Sequence, residues 1–388
     1  HRRGGRSRHK VADRTPTATR ALQFLRLRRK RCFTAYLGGG LVMYQNHHMH
    51  TTPIYIKGLA QISIQRPLCD DWMQNGVAHN EAYVRADDPN FRDFLAPLEA
   101  RRMGRLLKRA AVVAETALKE GATTCPDAIF SGTGLGCVES TEKFLETLCR
   151  EGEHLLSPAH FMQSTHNTIS SLIAIRTHCH GANTTFSHKT FSFEQALHEA
   201  IMSLRLAECC NALVGGYDEV TPSYYTLLRR AGYVGHPQQV ACSETAMAAL
   251  ISTEREGAVA RLDAFQTGQA TQEGESATRL KDFLNNCGIS PDDIDAVVTG
   301  HNGVANNDAR YAALCMACLP RIPQLPYKQL FGENYTVSAL AFYAAARMLQ
   351  HGVWPTCLSG LPATRPPQRL LIVNLSADGG YAFTVLSK

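Results

Sequence analysis

Apolar positions along the chain fall into two periods that alternate from residue 54 to the C-terminus. Tyr55 to Ile64 reads as a strand. Arg102 to Leu118 follows as a helix, because Met103, Leu106, Leu107, Ala110, Val113, Ala114 and Ala117 recur along one face. Ala128 to Ser131, Ala246 to Ile251, Ile294 to Thr299 and Leu370 to Leu375 are short, nearly continuous apolar runs. Such runs suit strands buried on both faces, as in parallel sheets covered by helices. Arg261 to Phe265 opens a further strand, and Tyr335 to Gln350 predicts a long helix with Gly352 as its stop. The pattern predicts a layered α/β architecture.

The pattern also repeats. A helix end, Gly121, Pro126-Asp127, an apolar strand and Gly132-Thr133-Gly134 occur in the first half. A helix end, Gly288, Pro291-Asp292, an apolar strand and Gly300-His301-Asn302-Gly303 follow in the second. A period of about 165 residues in two copies excludes a solenoid and points to two related halves. The expected division is 53–256 and 257–388, with the boundary near Glu256.

Charge separates the first 52 residues from everything after them. They hold 12 Lys or Arg against one acid, Asp13, while the remainder carries 28 bases against 33 acids. The net charge of +6 therefore belongs to a leader. That leader could be a nucleic-acid arm or a transit-like peptide. The expectation adopted is that it is disordered or precedes the true start, with initiation at Met43 or Met49. The body, 44% hydrophobic and 19% charged over the whole chain, is expected to bind no nucleic acid. No apolar run reaches the roughly 18 residues of a membrane span, so no membrane partner is expected.

Thirteen cysteines without a secretory signal suggest reduced thiols and a cytoplasmic protein. Cys315-Met316-Ala317-Cys318 has redox spacing, but its apolar helical setting favours buried small hydrophobes, and Cys209-Cys210 reads the same way. His178-Cys179-His180 lacks further ligands nearby, so no metal and no cofactor are expected. His166, beside Asn167, reads as a buried, hydrogen-bonded histidine, kept as a candidate pocket residue.

The most telling chemistry lies in Gly181 to Leu197, GANTTFSHKTFSFEQAL. Thr184 to Ser187 favour an extended chain, Ser192 is a good N-cap and Glu194 opens the first turn of a helix. Such a helix start stabilises a thiolate through the positive end of its dipole. The side chains present are Ser187, His188, Lys189, Thr190 and Ser192, whose hydroxyls need an activating base to act as nucleophiles.

From Pro53 to Lys388 the chain resembles the β-ketoacyl synthases of the thiolase-like fold, which elongate acyl chains on an acyl carrier protein. Ser131-Gly132-Thr133-Gly134-Leu135-Gly136 is similar to the family's first glycine-rich turn, and Ala212 to Glu219 to the strand and turn after the nucleophile helix. Lys328-Gln329-Leu330-Phe331-Gly332-Glu333 is similar to the family's lysine and F-G-H motif, with Glu333 in place of histidine. The resemblance implies two βαβαβαββ halves in a layered αβαβα core. It also implies a catalytic cysteine at Thr190, histidines at Glu333 and near His301, and a catalytic-site lysine at Lys328. Counting back from Asp308 puts Gly300 on the middle histidine; His301 fits with a one-residue gap. Gly379 and Gly380 fall in a C-terminal loop that has lost its usual phenylalanine.

An ionised carboxylate only accepts hydrogen bonds and would repel a developing enolate, so Glu333 opposes decarboxylation. The resemblance narrows to chain-length factors, as in aryl polyene pathways, on Phe161 to Thr168 and on Gly300 to Gly303. It implies a non-catalytic subunit of fatty acid or polyketide biosynthesis. Its implied partners are an active ketosynthase, in a heterodimer or alternatively a homodimer, and an acyl carrier protein. Phe186, Phe191 and Phe193 would shape the acyl pocket, and Arg101, Arg102, Arg105, Lys108 and Arg109 are candidates for carrier docking. Thr184 to Ser187 and the helix Ser164 to Ile175 would lie near the dimer seam. Two alternatives stay open. One is an active synthase or acyltransferase using Ser187 or Thr190 with His188 or His301 as base; the other is a carrier-docking protein with a filled pocket.

Overall fold

The computed structural model describes residues 52–272, 274–357 and 365–388, so all of the basic leader but Thr52 lies outside the described residues. Ten strands form one mixed sheet: β1 (Ile54–Ile62), β2 (Ala128–Gly132), β3 (Asn183–Phe186), β4 (Asn211–Asp218), β5 (Thr245–Ser252), β6 (Ala260–Gln269), β7 (Ala296–Thr299), β8 (Gln324–Pro326), β9 (Arg369–Leu375) and β10 (Gly380–Ser387). The helices longer than one turn are α1 (Arg105–Glu120), α2 (Val138–Glu151), α3 (Pro158–Ser164), α4 (Thr168–Thr177), α5 (Ser192–Arg205), α6 (Pro222–Arg230), α7 (Glu275–Asn286), α8 (Ala305–Cys318) and α9 (Ser338–His351).

The strand order is β3-β2-β4-β5-β1-β6-β10-β9-β7-β8. Counting five strands inward from either edge gives the same order and the same directions. β2 runs parallel to β3 and β4 as β7 does to β8 and β9, while β5 and β10 are antiparallel to their neighbours. Each half therefore reads βαβαβαββ, and β1 meets β6 antiparallel at the seam. The expectation of a parallel sheet holds only for β3-β2-β4 and β9-β7-β8. Ala246 to Ile251 is a buried antiparallel strand, because both its faces are covered by helices whatever its direction.

Helix packing makes the layers. α5 and α9 share one core with inward residues of both halves, among them Phe130, Val214, Met247, Val298 and Ile372. The opposite face of the first half packs on α1 and α4, and that of the second half on α7 and α8. Alternate residues of one strand serve different layers: Phe130 points to the middle and Ile129 to the outside. At the centre Phe193 of α5 meets Phe342 of α9 edge-on, with ring centroids 5.7 Å apart. This geometry adds about 0.5–1.5 kcal/mol beyond the area it buries. Phe193 is thus a core residue rather than a channel wall.

No helix among the described residues is long and apolar enough to cross a membrane. The cysteines divide. Cys315 is buried and burial pushes its thiol up to about 12, whereas Cys318 is half-buried. Cys209 is buried but Cys210 is exposed, because the turn into β4 faces outward there. His166 is exposed, contrary to expectation, because α3 and α4 break at Thr165–Asn167 and turn its ring outward across Gly136.

Candidate functional site

The loops at the carboxyl ends of β2, β3, β4, β7 and β9 converge, as crevices in open α/β sheets do. They enclose a cavity of about 410 Å³. One wall is apolar, built from Leu135, Val220, Leu228, Val234, Val304 and Tyr335. Thr190, Lys328, Glu333 and Asn302 line it as well, and Lys189, Arg310 and Asp378 belong to its polar side. The sequence candidates Thr190, Lys328 and Glu333 therefore meet in one cavity. His301, Phe186, Phe191, Phe193, His166, Gly379 and Gly380 are not among its lining residues.

Thr190 sits in a single 3-10 turn, Lys189–Phe191, directly before α5. Lys189 adopts φ +48°, the left-handed region that costs an L-residue roughly 1–2 kcal/mol. Ser192 does not cap α5. Its hydroxyl accepts from the His188 N–H at 2.9 Å and donates to the Lys189 carbonyl at 2.7 Å, so it fixes the turn ahead of the helix. From the other half, Asn374 on β9 donates to the Thr190 carbonyl at 3.0 Å. Gly380 approaches from the same side: a Cβ there would lie 2.5 Å from the Phe191 ring. Phe191 is therefore held against the loop, not the cavity. Gly379 has φ +90°, which a residue with a side chain rarely adopts.

Glu333 follows the one-turn helix Lys328–Phe331. Its backbone bridges Ala241 and Ser243, which fixes where the carboxylate points. Lys328 Nζ lies 2.8 Å from one carboxylate oxygen and 2.9 Å from the other. Asn302 Nδ2 donates to the second at 2.7 Å. The lysine and glutamate side chains are only 8% and 14% exposed, so the pair is largely shielded from water.

The turn after β7 settles which of its residues faces the cavity. Asp308 at the start of α8 accepts from the N–H groups of Asn302 and Gly303, at 2.9 and 3.0 Å. This clamp turns Asn302 inward. His301 turns the other way, its Nδ1 2.8 Å from Thr299 Oγ1 and its ring beside Tyr311. Burial holds the His301 pKa below the ordinary value. Asn302 was absent from the sequence candidates although its motif was recognised; the signal was Asp308, whose carboxylate fixes the register of the turn.

Among the described residues no hydrogen bond joins the Thr190 hydroxyl to an imidazole, and His188 and Ser187 are exposed. The lining residue His236 is exposed and its Nε2 contacts the Gly232 carbonyl at 2.8 Å. Cys242 borders Glu333, but burial pushes its thiol up to about 12, far from a thiolate at neutral pH. The cavity thus offers an occupied carboxylate, an occupied ammonium and an occupied amide. Among the described residues no hydrogen-bonded pair of a hydroxyl nucleophile and an imidazole base lines it.

Of the basic residues considered for docking, Arg109 is fully buried between Asp88 and Glu244, at 2.5 and 2.8 Å, and has no surface to offer. Arg105 reaches Asp88 at 3.9 Å and Lys108 lies over the Phe91 ring, while Arg101 and Arg102 are exposed.

Comparison with known proteins agrees with this geometry. Residues 71–289 match the family model described as beta-ketoacyl synthase, N-terminal domain. A search of curated protein sequences finds no match. Among solved structures, the chain is similar to the ishigamide ketosynthase/chain length factor, with a TM-score of 0.72 at 16% identity, covering 87% of this chain and 99% of that one. It is similar to the ketosynthase ApeO in complex with its chain length factor ApeC from Xenorhabdus doucetiae, with a TM-score of 0.70 at 13% identity, covering 88% and 100%. It is also similar to AntDE:AntF, a type II acyl-carrier protein in complex with its ketosynthase bound to the hexaketide, with a TM-score of 0.68 at 14% identity, covering 86% and 99%. With the family model spanning more than half of its length and the thiolase-like layers in place, the chain belongs to the β-ketoacyl synthase family.

Proposed function

We propose that this chain is a non-catalytic ketosynthase-like subunit, a chain-length factor that pairs with an active ketosynthase in fatty acid or polyketide biosynthesis. The observation that carries the reading is the floor of the cavity. Glu333, at the position where the resemblance puts an imidazole, is committed to Lys328 and Asn302, and Thr190 stands where the resemblance puts the nucleophile. Condensation would need donors for a developing enolate oxygen, and a carboxylate repels one.

Several features support a partner. β3 is an edge strand of the sheet, with Asn183 and Thr184 exposed. α4 packs beside it, Ser170 bonding Thr185, and Ile175 of α4 and Phe161 and Met162 of α3 expose large apolar side chains. An open strand edge is a template for pairing with another chain. The similar structures named above include ketosynthases with a chain length factor and with a carrier protein. In this reading the chain works in the cytoplasm, an acyl carrier protein serves the assembly, and the halves divide at the β5–β6 turn into 53–256 and 257–388. An open cavity of about 410 Å³ counts against a filled pocket, and the lack of a base at Thr190 counts against an active transferase.

The test incubates the purified chain, alone and with an active ketosynthase, with acyl-carrier thioesters, followed by intact mass. Acylation confined to the partner supports the reading. An acyl adduct on Thr190 or Ser187, or condensation by this chain alone, overturns it.

A further inference from the structure

Beneath the Thr190 turn lies a carboxyl group that the proposed function does not use. Glu194, the third residue of α5, is only 4% exposed although it occupies a first-turn position that ordinarily faces water. Its Oε1 accepts from Asn374 Nδ2 at 2.8 Å, and its Oε2 has no partner. Asn374 therefore divides its amide between two acceptors, the Glu194 carboxyl and the Thr190 carbonyl.

Burial, rather than its neighbours, opposes a charge on this group. Ser338, at the start of α9, faces the carboxyl, and its hydroxyl is otherwise unpartnered. The buried Tyr327 phenol, also unpartnered, is within electrostatic reach, and Tyr311 of α8 feels the same group. Ser338 and Asn374 can donate to the ionised form, but with Oε2 unpartnered and the group out of water a buried charge is costly, and that cost favours the neutral acid. The nearby cation is Lys328, already held by Glu333. Burial accordingly pushes the Glu194 pKa up to about 7.

We infer that Glu194 is a positioning residue for the Thr190 turn, carrying a proton whose release to solvent sets it against Glu333 for the single ammonium of Lys328. Ionisation then acts at both ends of the cavity. It alters the acceptor that shares Asn374 with the Thr190 carbonyl, and it draws Lys328 away from Glu333. This inference stands whether or not the chain condenses acyl groups.

The experiment uses the full chain and its Glu194→Gln variant, which keeps the shape and removes the proton. Infrared difference spectra are recorded between pH 5.5 and 8.5. Asp218 and Glu219, buried near the first glycine-rich turn, give carboxyl bands of their own, so the readout is the band present in the wild type and missing from E194Q. Thr190→Cys provides a second readout as a reporter thiol, and its alkylation rate is compared with that of T190C/E194Q. The thiol ionises in both, so a ratio that changes several-fold between pH 6 and 8 reports the turn. Should E194Q fold poorly, Glu194→Met serves as the neutral comparison. A missing band that titrates near pH 7 and a pH-dependent ratio are expected. Identical carboxyl spectra, or a ratio that stays flat across the range, overturn the inference.

Discussion

Replacing Glu333 with alanine should destabilise this protein more than any surface ion pair could. Lys328 is only 8% exposed, and both carboxylate oxygens of Glu333 lie within 2.9 Å of its ammonium. Without Glu333 the ammonium loses the carboxylate it touches, and Asn302 Nδ2 loses its acceptor as well. Breaking a buried pair from one side typically costs about 3–5 kcal/mol, against about 0–1 kcal/mol for an exposed pair. A loss of that size is a large fraction of the roughly 5–15 kcal/mol of a folded domain. Thermal melts and urea denaturation at pH 7 would measure it, and a fall of at least about 5 °C in Tm is expected. Lys328→Ala should lose a comparable amount, whereas Lys328→Met with Glu333→Leu should recover most of it, since apolar replacement of both partners removes the orphaned charge. If E333A and K328A both melt within a degree of the wild type, the floor of the cavity is not held as described here.

Other consequences can be checked beside it. Phe193→Ala, removing a ring packed on Phe342, should cost about 3–5 kcal/mol in urea titrations and leave the partner's product length unchanged, since the ring faces the core. Leu228→Trp, on the apolar wall, should instead shorten the product of the co-purified ketosynthase, read by mass spectrometry of carrier-bound chains; unchanged length would remove this cavity from chain-length control. Glu219 has its pKa pushed up by burial to about 7, so the fold keeps a proton that the unfolded chain loses above about 4. Stability should therefore be greatest in this respect below about pH 4, fall by a few kcal/mol as pH rises towards 7, and then level off. Urea midpoints in Glu219→Gln should show a shallower fall. Thr190→Cys with Glu333→His should not by itself give a condensing enzyme, because Asn302 holds the position inside the cavity that His301 has turned away from.

The layers were legible because the strands are covered on both sides, which leaves uninterrupted apolar runs, and because Gly and Pro mark the ends of repeated units. Strand direction was not legible, since Ala246 to Ile251 has the same composition whether its neighbour runs parallel or antiparallel. That Thr190, Lys328 and Glu333 share one cavity could be read from motif order. The inward residue of the 299–303 turn could not, because it is set by Asp308 closing on two backbone N–H groups rather than by the turn's own residues. Arg109 and Glu194 show the same limit from the charged side. A basic residue on an amphipathic helix and an acid in a first turn both ordinarily face water, and only Asp88 with Glu244, or Asn374 arriving from the other half, draws them inward.

The seam between the halves bears on how the molecule is made. β1 is the earliest strand of the body, yet its pairing surfaces are β5 and β6, nearly two hundred positions further along. At about 5–20 residues per second of synthesis, those partners follow β1 off the ribosome by roughly 10–40 s. Throughout that interval the backbone of β1 has neither strand neighbour, and Ile54, Ile56 and Leu59 wait for the central layer that α5 and α9 complete, whereas Ile62 can already pack on α1.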